Sequence, residues 1–115
     1  MTSSLEVTDQ ESAAVAVAPR VQLKDIEAEI AARYDTTADK AVGNGVPRME
    51  SLRLLSVCIL VMNNGFTVIG KSAPASADNF DAELGRKFAY EDAIRQLWPL
   101  MGYALRDKLM EAAHG

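Results

Sequence analysis

A chain of 115 residues is sized for one domain. Hydrophobic residues at 49% and charged residues at 24% give the balance of a globular protein rather than a disordered one. A net charge of −4 argues against a general nucleic-acid or anionic-membrane binder, whose electrostatic footprint is basic.

No apolar run approaches the roughly 20 residues that span a bilayer, and no basic stretch followed by an apolar one marks a secretory leader. The one cysteine, Cys58, has no partner for an internal disulfide, which suits a reducing cytosol.

Residues 1–20 read as a flexible tail ahead of one α+β domain over 21–115. Thr2, Ser3, Ser4, Thr8, Asp9, Gln10, Glu11 and Ser12 are polar, and a short Ala/Val run ends at Pro19. Such a segment buries too little apolar surface to offset the entropy of ordering it. Leu23, Ile26, Ile30 and Tyr34 then recur at helical spacing, which predicts a helix over Leu23–Tyr34. A long aperiodic loop is expected from Asp35 through Gly43-Asn44-Gly45 and Pro47.

Leu52–Met62 and Phe66–Lys71 are rich in β-formers and flank Asn63-Asn64-Gly65. Asn-Gly is the preferred pair where a tight hairpin needs positive φ twice, so a β-hairpin is expected here. Leu52, Leu54, Cys58, Leu60 and Met62 fall on one face of the first strand; Leu55, Val57, Ile59 and Val61 fall on the other. Both faces call for burial, and a lone hairpin is marginal in water. That predicts a homo-oligomer, most simply a dimer, unless a third strand comes from residues 46–51.

Ser76 or Asp78 can cap the helix that follows, where Phe80, Leu84, Phe88, Ile94 and Leu97 supply an apolar stripe. Pro99 predicts a break near Trp98-Pro99 and a last helix, with Met101, Leu105 and Leu109 buried, ending near Ala112. Lys87, Glu91 and Arg95 fall in the same arc as the apolar stripe. Either Glu91 links the two cations in a ladder at a helix seam, or Lys87 or Arg95 joins Arg86 at a pocket rim facing an anion.

Catalytic chemistry is thin. His114 is the only histidine and lies beside the C-terminus; one Cys and one His do not make a zinc site. Cys58 sits in an apolar strand and reads as a core residue rather than a nucleophile. Neither Gly43-x-Gly45 nor Gly65-Phe66 has the context of a phosphate loop. No enzyme, cofactor or metal is expected.

The order Val57-Cys58, Asn64-Gly65-Phe66-Thr67-Val68, Gly70-Lys71-Ser72-Ala73 and Asn79-Phe80-Asp81 resembles the small phage and prophage proteins of the Gp-forty-nine-like family. The resemblance continues through Gly85-Arg86-Lys87, Ala89-Tyr90-Glu91-Asp92-Ala93, Leu97-Trp98-Pro99-Leu100 and Gly102-Tyr103, covering about 23–109. Pro74 stands where those proteins usually carry a cysteine, which removes any role tied to that thiol.

The resemblance extends to the branch related to the Thoeris anti-defence sponge, which binds cyclic nucleotide immune signals without cleaving them. It implies a non-catalytic, dimer-based binding protein in the host bacterial cytoplasm, and it carries no ligand residue over one by one. On that reading, aromatic faces such as Phe66, Phe88, Tyr90 or Trp98 stack on a base, and Arg86, Lys87 or Arg95 hold phosphate. The alternative is a phage accessory module that binds a host or phage protein through its helices or acidic tail.

Overall fold

The structure, a computed structural model, describes residues 4–47 and 49–114. Its elements in chain order are α1 (Ser4–Val15), α2 (Leu23–Ala28), β1 (Ile30–Thr37), α3 (Ala38–Ala41), β2 (Ser56–Met62), β3 (Thr67–Ser72) and α4 (Ala82–His114). Short 3-10 turns lie at Glu50–Leu54 and Ala77–Asn79. The three strands form one antiparallel sheet in the order β1-β2-β3, so the fold is α+β. The described chain divides into two compact units, 30–96 and the two segments 1–29 and 97–115.

The β2–β3 hairpin forms where Asn64-Gly65 points, with a different turn. Gly65 is at φ 87°, but no residue other than glycine has positive φ among the described residues. The Gly65 N–H donates to the Met62 carbonyl at 2.9 Å, and the Met62 N–H to the Phe66 carbonyl at 2.8 Å. The Asn64 side-chain oxygen accepts from the Phe66 N–H at 3.0 Å. This is a three-residue loop closed by one left-handed glycine, not a two-residue turn with positive φ twice. A Cβ at Gly65 would meet nothing within 4 Å, so a substitution there is opposed by backbone strain alone. Gly65→Val should destabilise by about 1–2 kcal/mol in chemical denaturation, and Gly65→Asn by clearly less, because Asn tolerates positive φ.

The third strand comes from a place that helical spacing hides. Ile30–Thr37 pairs antiparallel with β2, Tyr34 opposite Ile59 and Thr37 opposite Ser56. The helix expected over Leu23–Tyr34 therefore stops at Ala28, and neither the described residues of 46–51 nor Leu52–Leu54 add a strand. Ala32, Tyr34 and Thr36 alternate along one face of β1, with a register shift setting Ile30 opposite Met62, while Leu23, Ile26, Ile30 and Tyr34 satisfy a period of 3.6. Pairing with the apolar β2 decides between them, since strand preference follows context.

Where a flexible tail was expected, residues 4–15 form α1, with Leu5 only 4% exposed. Asp9 ties this helix to the chain that follows. Its carboxylate accepts from the Arg20 guanidinium at 2.7 Å and from the Leu23 N–H at 3.2 Å, supplying the start of α2 with an acceptor. The Arg20 hydrogen bond, reinforced by the Leu23 N–H, holds the Asp9 carboxyl below the ordinary 3.8. A depressed folded-state value means the stabilisation is complete above about pH 4 and is lost as pH falls through the folded-state value. Asp9→Ala should thus cost about 1 kcal/mol at neutral pH, with the deficit shrinking in denaturation curves taken near pH 3.

Within 30–96, the first half of α4 covers one face of the sheet through a stripe of small residues, Gly85, Ala89 and Ala93. A Cβ on Gly70 of β3 would strike the Ala89 carbonyl and lie 2.9 Å from the Ala93 Cβ; one on Gly85 would strike the Ser56 hydroxyl. Cys58, Leu60, Met62 and Val68 from the sheet and Ala89, Ala93 and Ile94 from α4 are buried. The stripe expected to be buried is instead partly open: Leu84 and Phe88 are each 47% exposed. A helix seated this close to a sheet has no room for Leu or Phe on its contact side.

Side chains of α4 also reach the outer edge of β3. The Lys71 N–H donates to the Asp92 carboxylate at 2.9 Å, and the Gln96 amide donates to the Ile69 carbonyl at 2.7 Å. These bonds occupy backbone groups that an edge strand would otherwise offer to another chain. No break follows at Trp98-Pro99: α4 is one helix of 33 residues with Pro99 inside it. A proline forfeits one backbone bond of the ladder, and a helix this long continues past that loss.

Candidate functional site

At the Ser56 end of the sheet, the last residues of β1, the short α3 and the first turns of α4 enclose a cleft of about 210 Å³. It is lined by Asp35, Thr36, Thr37, Lys40, Ser56, Ala82 and Arg86. Each arrives for a local reason. β1 delivers Asp35–Thr37 in register with Ser56–Cys58, and α3 starts as β1 ends, turning Lys40 back. Asp81 caps α4, its carboxylate accepting from the Leu84 N–H at 3.0 Å, which sets the first turns carrying Ala82 and Arg86.

The cleft's charge is positive in effect. Arg33 engages the Asp35 carboxylate through Nε at 3.0 and 3.3 Å, so that negative charge is already met. Among the described residues, Lys40 and Arg86 form no ion pair. The Asp39 carboxylate, beside Lys40, accepts from the Thr37 hydroxyl at 2.5 Å. That hydrogen bond, with the Lys40 charge as a smaller contribution, holds the Asp39 carboxyl below its ordinary value. Two cations, the hydroxyls of Thr37 and Ser56, and the start of a long helix therefore converge on one hollow, a setting that favours an anion.

A second hollow of about 170 Å³ adjoins the first through their shared Ser56. Its lining includes Ser72, Asn79, Phe80, Leu84 and Phe88. Phe80 is half-buried and Phe88 is 47% exposed, so an aromatic face is accessible beside the cation pair.

The residues singled out from the sequence scatter around this geometry. Arg86 lines the cleft. Lys87 is half-buried on the adjacent arc of α4, and Glu91 is 4% exposed. Arg95 is exposed, and both it and Glu91 have interaction partners. The three do share an arc, as expected, but that arc straddles the edge of the helix's buried side. Tyr90 is half-buried with the Arg33 guanidinium 4.2 Å from its ring centroid, so one of its faces is covered.

Phe66, 51% exposed, stands at the hairpin end of β2, roughly 20 Å along the strand from Ser56, and does not meet Arg86 within one chain. Lys40 escaped notice because it lies in what reads as a loop; only the folding of β1 against β2 brings it to Arg86. Asp35 also faces Cys58 across the sheet. Burial first, then that carboxylate, push the Cys58 thiol up to about 11, which leaves it a protonated core residue at neutral pH.

No helix among the described residues is long and apolar enough to cross a membrane. A family model described as the Phage protein (N4 Gp49/phage Sf6 gene 66) family matches residues 21–109. No curated protein and no solved structure matches the chain.

Proposed function

Starting from a chain that belongs to this family of phage proteins, we propose that it is a non-catalytic binding protein that captures a phosphate-bearing cyclic nucleotide signal in the cytoplasm of the host bacterium. Sequestering such a signal is an anti-defence activity. The observation that supports this most is the pairing of two adjoining hollows. One offers Lys40 and Arg86 with the hydroxyls of Thr37 and Ser56; the other offers Phe80 and Phe88. A guanidinium fork and a lysine suit phosphate oxygens, and an aromatic face suits a nucleobase. Capture without turnover fits the titratable groups at hand. The Asp35 carboxylate is engaged by the Arg33 guanidinium and the Asp81 carboxylate by the Leu84 N–H, and the remaining charged lining groups, Lys40 and Arg86, are cations.

Thermal melting of the protein with cyclic ADP-ribose and with cyclic di- and trinucleotides tests this. At a hundredfold excess over Kd the stabilisation should be about 2.7 kcal/mol, a rise of several degrees, with the nucleotide recovered intact after long incubation. No rise with any of these would overturn the reading, and a cleaved nucleotide would overturn its non-catalytic part. A second reading, a module that docks on a host or phage protein, is favoured by the far end of α4. There Leu100, Tyr103 and Met110 share one helix side and are 49%, 74% and 49% exposed. It gains ground if melts are flat and a purified partner protein raises the melting temperature instead.

A further inference from the structure

The cleft at the Ser56 end of the sheet carries a group that anion capture alone does not call for. Asp35 lines it together with Lys40 and Arg86. A bare carboxylate beside two cations would repel the phosphate they attract. That charge is cancelled from within β1. One Arg33 N–H is shared between the two Asp35 oxygens, at 3.0 and 3.3 Å. The guanidinium is in turn seated on α4, its carbon 4.2 Å from the Tyr90 ring centroid.

Cancelled charge is not exhausted acceptor capacity. A carboxylate offers about four lone-pair sites. The shared Arg33 N–H takes two, and the Cys58 thiol opposite Asp35 on β2 is a further weak donor. At least one site remains, and the Asp35 side chain keeps 24% of its surface open.

The electrostatics restrict what can occupy that site. A second anionic group would face the carboxylate, and a cationic one would face Arg33, Lys40 and Arg86. A neutral donor next to the phosphate meets neither objection, and a hydroxyl is the plainest such donor.

We infer that Asp35 accepts a hydrogen bond from a sugar hydroxyl adjacent to the captured phosphate, so that the cleft selects ribonucleotides over their deoxy counterparts. This rests on the nucleotide reading of the two hollows and assigns Asp35 as its specificity-determining residue. In a 3′-phosphorylated ribonucleotide the 2′-hydroxyl stands on the carbon next to the one that bears the phosphate. The base then has the Phe80 and Phe88 hollow, which adjoins through Ser56. A 2′-deoxynucleotide brings the same phosphate and base but leaves the carboxylate without its donor.

Titration of adenosine 3′-monophosphate and 2′-deoxyadenosine 3′-monophosphate into the full chain, read by amide chemical shifts at Thr37, Lys40 and Arg86, tests this. The ribonucleotide should bind about tenfold more tightly, as expected for one hydrogen bond to a charged group. Asp35→Ala, at an exposed position of the outer strand, should fold with an unchanged circular dichroism spectrum and bind both nucleotides alike. Its affinity for the deoxynucleotide should match or exceed the parent's, because the carboxylate is gone and Arg33 is released. Equal affinity of the parent for the two nucleotides would overturn the inference. So would an Asp35→Ala variant that keeps the ribose preference, or one that loses affinity for both nucleotides equally. A parent that captures cyclic nucleotides but shows no sugar preference removes this inference alone. A parent that binds neither mononucleotide and no cyclic nucleotide removes the nucleotide reading with it.

Discussion

Gly70→Ala is expected to destabilise the protein by about 3 kcal/mol, although it adds one methyl group and the backbone there tolerates alanine. Gly70 is not at positive φ; the obstacle is α4. Its Cβ would strike the Ala89 carbonyl, lie 2.5 Å from the Ala93 nitrogen and 2.9 Å from the Ala93 Cβ. Two of these are backbone atoms, which cannot rotate away, so the helix must lift from the sheet and loosen the hydrogen bonds that Asp92 and Gln96 make to β3. Gly102→Ala is the matched control. Gly102 is inside α4, has nothing within 4 Å of its Cβ position, and should stabilise by about 0.5–1 kcal/mol when changed to alanine. Denaturant midpoints of the two variants should therefore move in opposite directions; a Gly70→Ala midpoint equal to the parent's would show that α4 does not sit against β3.

Leu60→Ala should cost about 2–5 kcal/mol, a large part of the stability of a domain this size. Leu60 is fully buried in the central strand, between Arg33 of β1 and Val68 of β3 on the side that α4 covers. Truncating it removes three carbons from a position closed by strands on both sides and a helix above, where collapse into the gap is restricted. Urea denaturation reads the loss directly; a change under 1 kcal/mol would mean that the central strand is not the core of the 30–96 unit.

The hairpin was legible because its signals are local. Asn64-Gly65 between two apolar runs places the reversal within four residues, and only the turn type needed the Gly65 geometry to settle. β1 was not legible as a strand, because Ile30 and Tyr34 belong equally to the helical spacing that starts at Leu23. Helix length was misjudged at Pro99 for a related reason: a local breaker was outweighed by the helix on either side of it. The buried side of α4 was misassigned because large apolar residues usually mark a contact stripe, and here small ones do. Arg86 was legible as a cation near an apolar seam. Lys40, Thr36 and Thr37 were not, because their place beside Arg86 depends on the pairing of β1 with β2 and has no signature in a single sequence.

Calorimetric titration of the cyclic nucleotides into the parent chain and into Arg86→Ala, Lys40→Ala and Arg106→Ala tests the central claim most directly. If the cleft holds the ligand's phosphate, one of the nucleotides binds the parent and releases or absorbs heat at a single class of site. Arg86→Ala and Lys40→Ala should each weaken that binding by about 1.5–3 kcal/mol, tenfold to a hundredfold, as expected for loss of one charge-assisted contact. Arg106→Ala, which removes the same charge from an exposed position outside the cleft, should leave affinity unchanged. Equal affinity in the parent, Arg86→Ala and Lys40→Ala, or no binding of any cyclic nucleotide by the parent, would contradict the account.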